Sequence, residues 1–230
     1  FERVVFFTGA GISVESGIPT YRGSGGVWAA YDYRQYACEE AFLRDPDKVW
    51  EFHEVRRQKV GACEPNRGHR AIAAFQERRP STRVVTQNID GLHARAGATD
   101  VIELHGSLWR LRCPRCGSVE PSTAVPLPSR KHACGAWYRP DIVWFGDALS
   151  RATVDAALAA ISACDALVAV GTSAVVYPAA ELPLVARRRG ASLIEVNPEE
   201  TPLSDAYDVH LRGKAGDVLP ELVASVVGAT

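Results

Sequence analysis

The sequence predicts an α/β fold, namely a parallel sheet covered by helices on both faces with a smaller lobe beside it. Three observations support this prediction. Short apolar segments alternate with segments of helical periodicity, which is the pattern of parallel sheets with crossover helices. The first apolar segment runs directly into a glycine-rich turn. Two long stretches interrupt the alternation and predict insertions.

The predicted strands are short apolar runs, whereas the predicted helices are longer and amphipathic or alanine-rich. Strands are expected at 4–7, Arg83–Thr86, 100–103, Ala166–Val170 and Ser192–Val196. Helices are expected at 47–59, 69–78, 152–163, 178–189 and 217–227. Two prolines, Pro178 and Pro183, leave the start of the fourth helix open.

The turn after the first strand reads Gly9-Ala-Gly-Ile-Ser13. Glycines let a phosphate approach bare backbone, and the N-terminus of a following helix offers free N–H groups and partial positive charge. We therefore expect a dinucleotide pyrophosphate at this turn. The turn differs from the common fingerprint G-x-G-x-x-G, because Val14 stands where the third glycine would be.

The two interruptions lie at 23–65 and 113–139. The first contains helical patterns, and the second is rich in Pro, Ser and Cys without a convincing long helix. We interpret them as a helical insertion and a metal-held insertion that together form the smaller lobe.

Composition excludes several classes of protein. The 230 residues are 47% hydrophobic and 23% charged, which is ordinary for a globular chain with a sizeable core. The net charge of −1 gives no basic field for nucleic acid, and the apolar runs fall far short of the ~20 residues of a membrane helix. The six cysteines are too scattered for a disulfide scaffold, so we expect a reducing, cytoplasmic setting. We expect a monomer without direct contact to nucleic acid or membrane.

Polar side chains follow the second predicted strand, where Gln87, Asn88 and Asp90 come directly after Thr86. Ligands of open parallel sheets bind beyond the carboxyl ends of the strands. Amide donors and acceptors beside a carboxylate are what a carboxamide such as nicotinamide requires. Alternatively, Asn88 or Asp90 caps the following helix by accepting from its backbone N–H groups.

Three further strand ends carry candidate site residues, namely His105, Gly171, Thr172, Ser173, Asn197 and Glu199. The histidine would serve as a general base near neutral pH, although a lone histidine is more often structural. The Gly-Thr-Ser segment offers amides to phosphate or ribose, or forms a simple strand-to-helix turn. The last two residues would hold ribose hydroxyls.

A zinc site is expected in the second insertion. Cys113 and Cys116 have the C-x-x-C spacing of half a zinc site. In the other half Cys134 is present, but Lys131 stands three residues before it, and His132 is the nearest substitute ligand. Three cysteines and one histidine form an accepted set of four ligands. The alternative is a degenerate site in which packing alone holds the loop.

These motifs, in this order, resemble the sirtuin family of NAD-dependent protein lysine deacylases. The resemblance extends over nearly the whole chain, in Gly9-Ala-Gly-Ile-Ser13, Ser16-Gly-Ile-Pro19, Thr86-Gln-Asn-Ile-Asp90, His105-Gly106, Cys113-x-x-Cys116, Arg139-Pro-Asp-Ile-Val-Trp-Phe-Gly146 and Gly171-Thr-Ser173. It implies a Rossmann-like NAD domain at 1–22, 66–108 and 141–230, and a small helical and zinc-binding lobe at 23–65 and 109–140. The cleft between them would hold NAD and an acylated lysine of a protein substrate.

The resemblance also implies roles for individual residues. The implied cofactor contacts are Gly9, Ala10, Gly11, Ser13, Arg22, Gln87, Asn88 and Asp90, and the implied substrate contacts are Val143, Trp144, Phe145 and Gly146. His105 would act as the base that takes a proton from a ribose hydroxyl. The reaction would release nicotinamide, free lysine and an acyl-ADP-ribose.

Within the family, the stretches 49–57 and 64–69 resemble the bacterial and mitochondrial branch that removes acidic acyl groups such as succinyl and malonyl. That branch holds the distal carboxylate with a Tyr-x-x-Arg pair. Here the pair is His53 and Arg56, so the guanidinium fork is kept while an imidazole replaces the phenol. Alternatively, both side chains lie on a solvated helix face, where positions i and i+3 are neighbours.

Other functions stay open at this point. An ADP-ribosyltransferase or NAD glycohydrolase would break the same nicotinamide bond, and a sensor module would bind NAD without turnover. A hydride-transferring dehydrogenase fits less well, because the glycine fingerprint differs and an insertion breaks the first strand-helix-strand unit.

Overall fold

The computed structural model describes residues 1–21 and 25–227. The strands are β1 (Val4–Thr8), β2 (Arg83–Thr86), β3 (Val101–Glu103), β4 (Gly106–Arg112), β5 (Val119–Pro121), β6 (Arg139–Ile142), β7 (Ala166–Val170), β8 (Ser192–Val196) and β9 (Val209–Leu211). The helices are α1 (Val27–Ala30), α2 (Tyr33–Tyr36), α3 (Glu39–Arg44), α4 (Pro46–Gly61), α5 (Arg67–Arg78), α6 (Leu92–Arg95), α7 (Arg151–Ala163), α8 (Leu182–Arg188) and α9 (Ala215–Val227). Short 3-10 helices occupy Ala10–Ser16, Ala179–Glu181 and Ser204–Ala206.

The larger sheet has six strands in the order β3-β2-β1-β7-β8-β9, and every neighbouring pair is parallel. From β1 the chain proceeds to one edge through β2 and β3, and then returns to the centre at β7 before proceeding to the other edge. The order therefore reverses between β1 and β7. Such a switch point leaves a crevice at the carboxyl ends of the two strands, where ligands of open α/β sheets bind.

Both faces of this sheet are covered, as its apolar strands predict. Val5 and Phe7 of β1 face a cluster with helices α7 and α8, while Val4 and Phe6 face a second cluster with α5 and α9. Alternate residues of one strand thus belong to different cores, because successive side chains of a strand point to opposite faces. The predicted parallel sheet between helical layers is confirmed.

A second sheet, antiparallel, has the order β5-β4-β6. A third apolar cluster joins it to the helices of the first insertion and includes Trp50, Leu108 and Trp144. The sequence patterns do not predict β4, β5, β6 or β9. The strand β6 carries Arg139, Pro140 and Asp141, so it has no apolar run that would reveal it.

Helix starts differ from the predicted bounds for identifiable reasons. Helix α4 starts at Pro46, where the Asp45 carboxylate accepts from the Lys48 N–H, and α5 starts after Asn66, which caps its first turn. The fourth predicted helix starts only at Leu182, after the 3-10 turn Ala179–Glu181. Within the described ranges, no helix has both the length and the apolar character needed to cross a bilayer.

Candidate active site

The two loops at the switch point pack directly against each other. The Gly9 N–H donates to the Val170 carbonyl (3.0 Å), and the Gly11 N–H donates to the Gly171 carbonyl (2.9 Å). A Cβ atom on Gly11 would lie 2.7 Å from the Gly171 Cα, and Gly171 itself has a φ of +58°. These glycines are therefore required for the close approach of two backbone segments, in addition to any approach of a phosphate.

A buried polar triad lies beside these loops and consists of Ser13, Asn88 and Asp90. The Ser13 hydroxyl donates to the Asp90 carboxylate (2.7 Å), and the Asn88 amide donates to the Gly9 carbonyl (3.0 Å) and contacts Ser13 Oγ (3.3 Å). Burial raises the pKa of Asp90, although its hydrogen bonds to the Leu92 N–H and to Ser13 oppose the shift. The geometry thus fixes an amide and a carboxyl group in one orientation.

The capping alternative holds for one member of the triad. Asp90 Oδ1 accepts from the N–H of Leu92 (2.9 Å), the first residue of α6, while its Oδ2 accepts from Ser13. Among the described contacts, the Asn88 side-chain oxygen accepts from no N–H of this helix, and its amide donates to the Gly9 carbonyl in the loop after β1. Asp90 therefore combines a structural contact with one that faces the candidate site.

His105 lies at the carboxyl end of β3 with its imidazole oriented by one hydrogen bond. Its Nδ1 lies 2.9 Å from the Gln87 carbonyl, which can only accept, so Nδ1 carries the proton and Nε2 is left with a lone pair. Burial lowers the pKa of His105, and the bond to Gln87 opposes the shift only in part. The neutral ring at pH 7 is thus a proton acceptor at Nε2.

The glycine after this histidine explains the sharp turn into β4. Gly106 has a φ of +76°, and a Cβ there would collide with the Asp141 carbonyl of β6. On the same edge, the His105 carbonyl accepts from the Val143 N–H (2.9 Å). The second sheet is thereby fixed next to His105.

The remaining predicted cofactor residues are only partly brought together. Thr172 is buried, and its carbonyl accepts from the Asn197 side-chain amide (2.8 Å), so Asn197 supports the switch-point loop. Ser173 is exposed beside it. Glu199 is exposed and its backbone carbonyl accepts from Arg212 (3.3 Å), while no contact within the described residues joins its carboxylate to the site. Arg22 lies outside the described residues.

The predicted substrate segment follows β6. Trp144 is buried, stacked against His53 (6.0 Å between ring centroids) and lying under the Arg139 guanidinium (3.8 Å). Phe145 packs against Tyr33 (4.1 Å between ring centroids), and Gly146 is exposed with a φ of +91°. Most of this segment is held by the insertion helices rather than by the larger sheet.

The proposed acyl pair is split between two surroundings. Arg56 lines a cavity with Ala10, Ser13, Tyr21, Asn88 and Asp90. His53 is 1% exposed, and its Nε2 donates to the Tyr36 carbonyl (3.1 Å). Burial and the nearby Arg56 charge lower the pKa of His53 to about 3, so this imidazole is neutral. The solvated-face alternative is excluded for His53 by its burial.

Two residues at this site carried no role in the sequence analysis. Tyr21 accepts a hydrogen bond from Arg56 (2.8 Å), and the Trp109 indole N–H donates to the Asp90 carbonyl (2.6 Å). Trp109 also explains Gly91, because a Cβ there would lie 2.7 Å from its ring. Tyr21 lies two residues after the motif Ser16-Gly-Ile-Pro19, whereas Trp109 has no motif that would single it out.

The residues of the second insertion fit a zinc ion. One ligand atom each of Cys113, Cys116, His132 and Cys134 lies within 4.8 Å of all the others. The Cys113–Cys134 sulfur distance is 3.5 Å and the Cys116 Sγ–His132 Nδ1 distance is 3.7 Å, close to the edges of a tetrahedron with bonds of about 2.3 Å. The hydrogen bond with His132 is the largest contribution lowering the pKa of the Cys134 thiol to about 6, which favours the thiolate that zinc binds.

Comparison with known proteins agrees with this geometry. The model of the family described as the Sir2 family matches residues 9–178. The chain belongs to the Sir2 family. It is 49% identical to NAD-dependent protein deacylase 1 of Pseudomonas aeruginosa, over 96% of this chain and 93% of that protein.

Solved Sir2 structures superpose closely on this chain. A Sir2 homologue mutant in complex with ADP-ribose has a TM-score of 0.95 at 44% identity, covering 99% of this chain and 93% of that one. A Sir2 protein with a p53 peptide and NAD⁺ has a TM-score of 0.81 at 32% identity, covering 99% and 94%. The sirtuin resemblance is thus confirmed, and with it the α/β fold and the predicted enzyme class.

The Sir2 site fits a dinucleotide on its own geometry. The crevice lies at the switch point of a parallel sheet, the loops there expose backbone and small side chains, and the buried end carries the amide and carboxyl of Asn88 and Asp90. A mixture of amide and carboxyl groups matches the carboxamide of nicotinamide.

Proposed function

We propose that this chain is an NAD-dependent protein lysine deacylase that acts on acetyl and acidic acyl groups and releases nicotinamide and an acyl-ADP-ribose. The observation that carries the proposal is the orientation of His105. Because Nδ1 donates to the Gln87 carbonyl, Nε2 remains an acceptor at the carboxyl edge of the sheet. Its lowered pKa keeps it unprotonated at neutral pH, as a general base requires.

The residues at the switch point would hold NAD. The loops 9–11 and 171–173 would contact phosphates and riboses, and Asn88 and Asp90 would contact the nicotinamide. When bound, NAD supplies the ribose carbon that takes the acyl oxygen as nicotinamide leaves. Because Ser13 already fixes Asn88 and Asp90 in one orientation, they position the ring without reorganising.

His105 would then move one proton. Its Nε2 takes the proton of a ribose hydroxyl, whose oxygen can thereby bond to the acyl carbon. The Gln87 carbonyl stabilises the imidazolium that forms, since its hydrogen bond with Nδ1 strengthens when the ring is charged. The roles of His105 and Gln87 are thus those of a base and its orienting partner.

The segment 143–146 would hold the peptide. Gly146 is exposed, and the neighbouring Val143 is fixed to His105 through its N–H, so an extended peptide added along this segment would reach the base. Arg56 would favour acyl chains that end in a carboxylate, because it lines this cavity and its guanidinium binds a carboxylate with two parallel hydrogen bonds.

We also propose the lobe boundaries as predicted, with 23–65 and 109–140 as the smaller lobe. The third apolar cluster supports this division, because it joins the insertion helices to the second sheet. The thiols Cys38, Cys63 and Cys164 are unbridged, which supports a reducing, cytoplasmic setting. A monomer is proposed from the sequence expectation alone.

A panel of acetyl-, succinyl-, malonyl- and glutaryl-lysine peptides, each with and without NAD, tests the function. The proposal expects turnover that requires NAD and forms one nicotinamide for each lysine released. Nicotinamide release that is independent of the acyl peptide would instead favour an NAD glycohydrolase. An ADP-ribosylated peptide would favour a transferase.

A further inference from the structure

One cation at the candidate site, Arg56, forms no salt bridge in the described part of the chain, although the Asp90 carboxyl lines the same cavity and interacts with it electrostatically. Arg56 is half-buried, and no described carboxylate lies within 4.0 Å of its guanidinium. Its neighbours on the same lobe differ. Arg130 pairs with Glu54 and Asp47, and Arg57 donates to backbone carbonyls of Leu108, Ser122 and Ala124.

The contacts that Arg56 does make fix its direction. Its Nη2 donates to the Tyr21 hydroxyl (2.8 Å), and its guanidinium carbon lies 4.8 Å from the Tyr21 ring centroid and 5.8 Å from that of Phe52. The cation is therefore held by aromatic faces and one hydroxyl. None of these contacts is an ion pair, and burial raises the pKa of the Asp90 carboxyl in the same cavity, so the Arg56 guanidinium is suited to an added anion.

The hydrogen bond between these residues determines which protons remain available. A guanidinium only donates, so the Tyr21 oxygen is the acceptor. The phenol proton is left, and the described residues provide no acceptor for it. Tyr21 and Arg56 both line the cavity with Asn88 and Asp90, so both can present donors to the same ligand.

His53, in contrast, has no N–H available to donate to a ligand in this cavity. Its Nε2 proton goes to the Tyr36 carbonyl, its ring is stacked on Trp144, and it is not among the residues that line this cavity in the described structure. The side chain three residues before Arg56 therefore packs the lobe and does not contact the ligand.

We infer that Tyr21 is a specificity-determining residue that forms, with Arg56, the site for the distal carboxylate of dicarboxylic acyl-lysines. One carboxylate oxygen accepts from the guanidinium and the other accepts the phenol proton. This inference rests on the proposed deacylase function and assigns the second donor to Tyr21 instead of His53.

Tyr21 is held in place for this role by its surroundings. The Trp28 N–H donates to the Tyr21 carbonyl (3.1 Å), and the two rings lie 5.9 Å apart. Trp28 in turn stacks on Phe52 (6.1 Å) and contacts Phe145 (5.5 Å). The phenol is thus positioned by the insertion helix and the substrate segment together, so that little reorganisation is needed on binding.

The test compares Tyr21→Phe with the unaltered chain on succinyl- and acetyl-lysine peptides of one sequence, at saturating NAD. A hydrogen bond to a charged group contributes enough that kcat/KM for the succinyl peptide should fall about tenfold, mainly through KM. The acetyl peptide has no carboxylate, so its kcat/KM should stay within about twofold. Tyr31→Phe is the matched control, because its ring also packs on Phe52 but lies outside the cavity.

The double variant Tyr21→Phe with Arg56→Met tests whether the two side chains bind the same carboxylate. If both donors bind one carboxylate, adding Tyr21→Phe to Arg56→Met should lower kcat/KM for the succinyl peptide little further. Equal losses on both peptides, or no loss on either, would overturn the inference. A loss of kcat/KM that is selective for the succinyl peptide in Arg56→Met but absent in Tyr21→Phe would overturn the role of Tyr21 and leave the deacylase function intact. If the unaltered chain is inactive on every acyl peptide, the proposed function itself is contradicted.

Discussion

The carboxyl edge of the larger sheet and the smaller lobe are held in place by different means. At the sheet edge, backbone bonds extend the ladder into the loops, as from the Gln87 N–H to the Thr8 carbonyl and from the Gly171 N–H to the Val196 carbonyl. In the lobe, hydrogen bonds from long side chains to backbone carbonyls join the segments to one another. The Trp50 indole donates to the Tyr138 carbonyl (2.6 Å), and Arg57 binds three carbonyls.

The difference indicates which changes each region tolerates. An edge held by backbone bonds keeps its shape when a side chain that does not support a loop is removed, so such substitutions report on chemistry. Asn88 and Asn197 are exceptions, because their amides donate to loop carbonyls. A lobe built by side chains loses geometry when one of them is removed. Substitutions in the lobe should therefore change binding or stability before they change the chemical step.

The largest effect is expected at the edge itself. Replacing His105 by alanine removes the base, so turnover of an acyl peptide should fall roughly 10²- to 10⁴-fold. Binding of NAD, measured by calorimetry, should be nearly unchanged because the Gln87 backbone stays in place. His210→Ala on β9 is the control. Retained turnover in His105→Ala would show that the edge does not supply the base.

The second prediction concerns the dependence of the free energy of unfolding on pH. Burial lowers the pKa of His53 and His93 to about 3 and of His69 to about 4, whereas the unfolded chain titrates near 6.5. Between these values the unfolded chain binds more protons. The free energy of unfolding should therefore fall as the pH drops below 6.5, by up to about 4 kcal/mol per pH unit for the three groups together.

Urea unfolding at pH 7 and pH 5 measures this slope. His69→Asn should reduce it by about a third, since one of the three groups is lost. Gln58→Asn, at an exposed position on α4 whose side chain does not titrate, should leave it unchanged. An unfolding free energy that does not fall between pH 7 and pH 5 would contradict the buried, neutral state of these rings.

The third prediction concerns the metal. Cys134→Ser should lower zinc affinity by more than the roughly 10- to 100-fold that changes outside the ligand set cost. Metal content per chain and thermal unfolding measure the effect, with Cys38→Ser as the control. Because the larger sheet has its own cores, its hydrogen-exchange protection should survive metal removal while that of β4–β6 falls. Full zinc content in Cys134→Ser would remove Cys134 from the ligand set.

The smallest effect is expected where the two regions meet. Trp109→Phe removes the indole N–H that donates to the Asp90 carbonyl, at a cost of about 1 kcal/mol, so KM for NAD should rise roughly fivefold with kcat little changed. Trp137→Phe in the same lobe is the control. An unchanged KM would show that the lobe does not position Asp90.

The same contrast explains what the sequence could predict. The buried strand β1 and the polar run 87–90 have local signatures, since burial of a parallel strand requires an apolar run and its carboxyl end faces the ligand. The position of His53 could not be predicted, because its helical spacing from Arg56 does not show that its ring packs on Trp144. The pairing of Tyr21 with Arg56 joins residues 35 positions apart and depends on the fold.

The product of the reaction tests the central claim most directly. An acetyl-lysine peptide is incubated with NAD, and the products are identified by mass spectrometry. The proposed mechanism predicts one nicotinamide and one acetyl-ADP-ribose for each lysine released, with formation of the acetyl-ADP-ribose falling roughly 10²- to 10⁴-fold in His105→Ala. Free acetate with plain ADP-ribose, or an ADP-ribosylated peptide, as the initial product would contradict it.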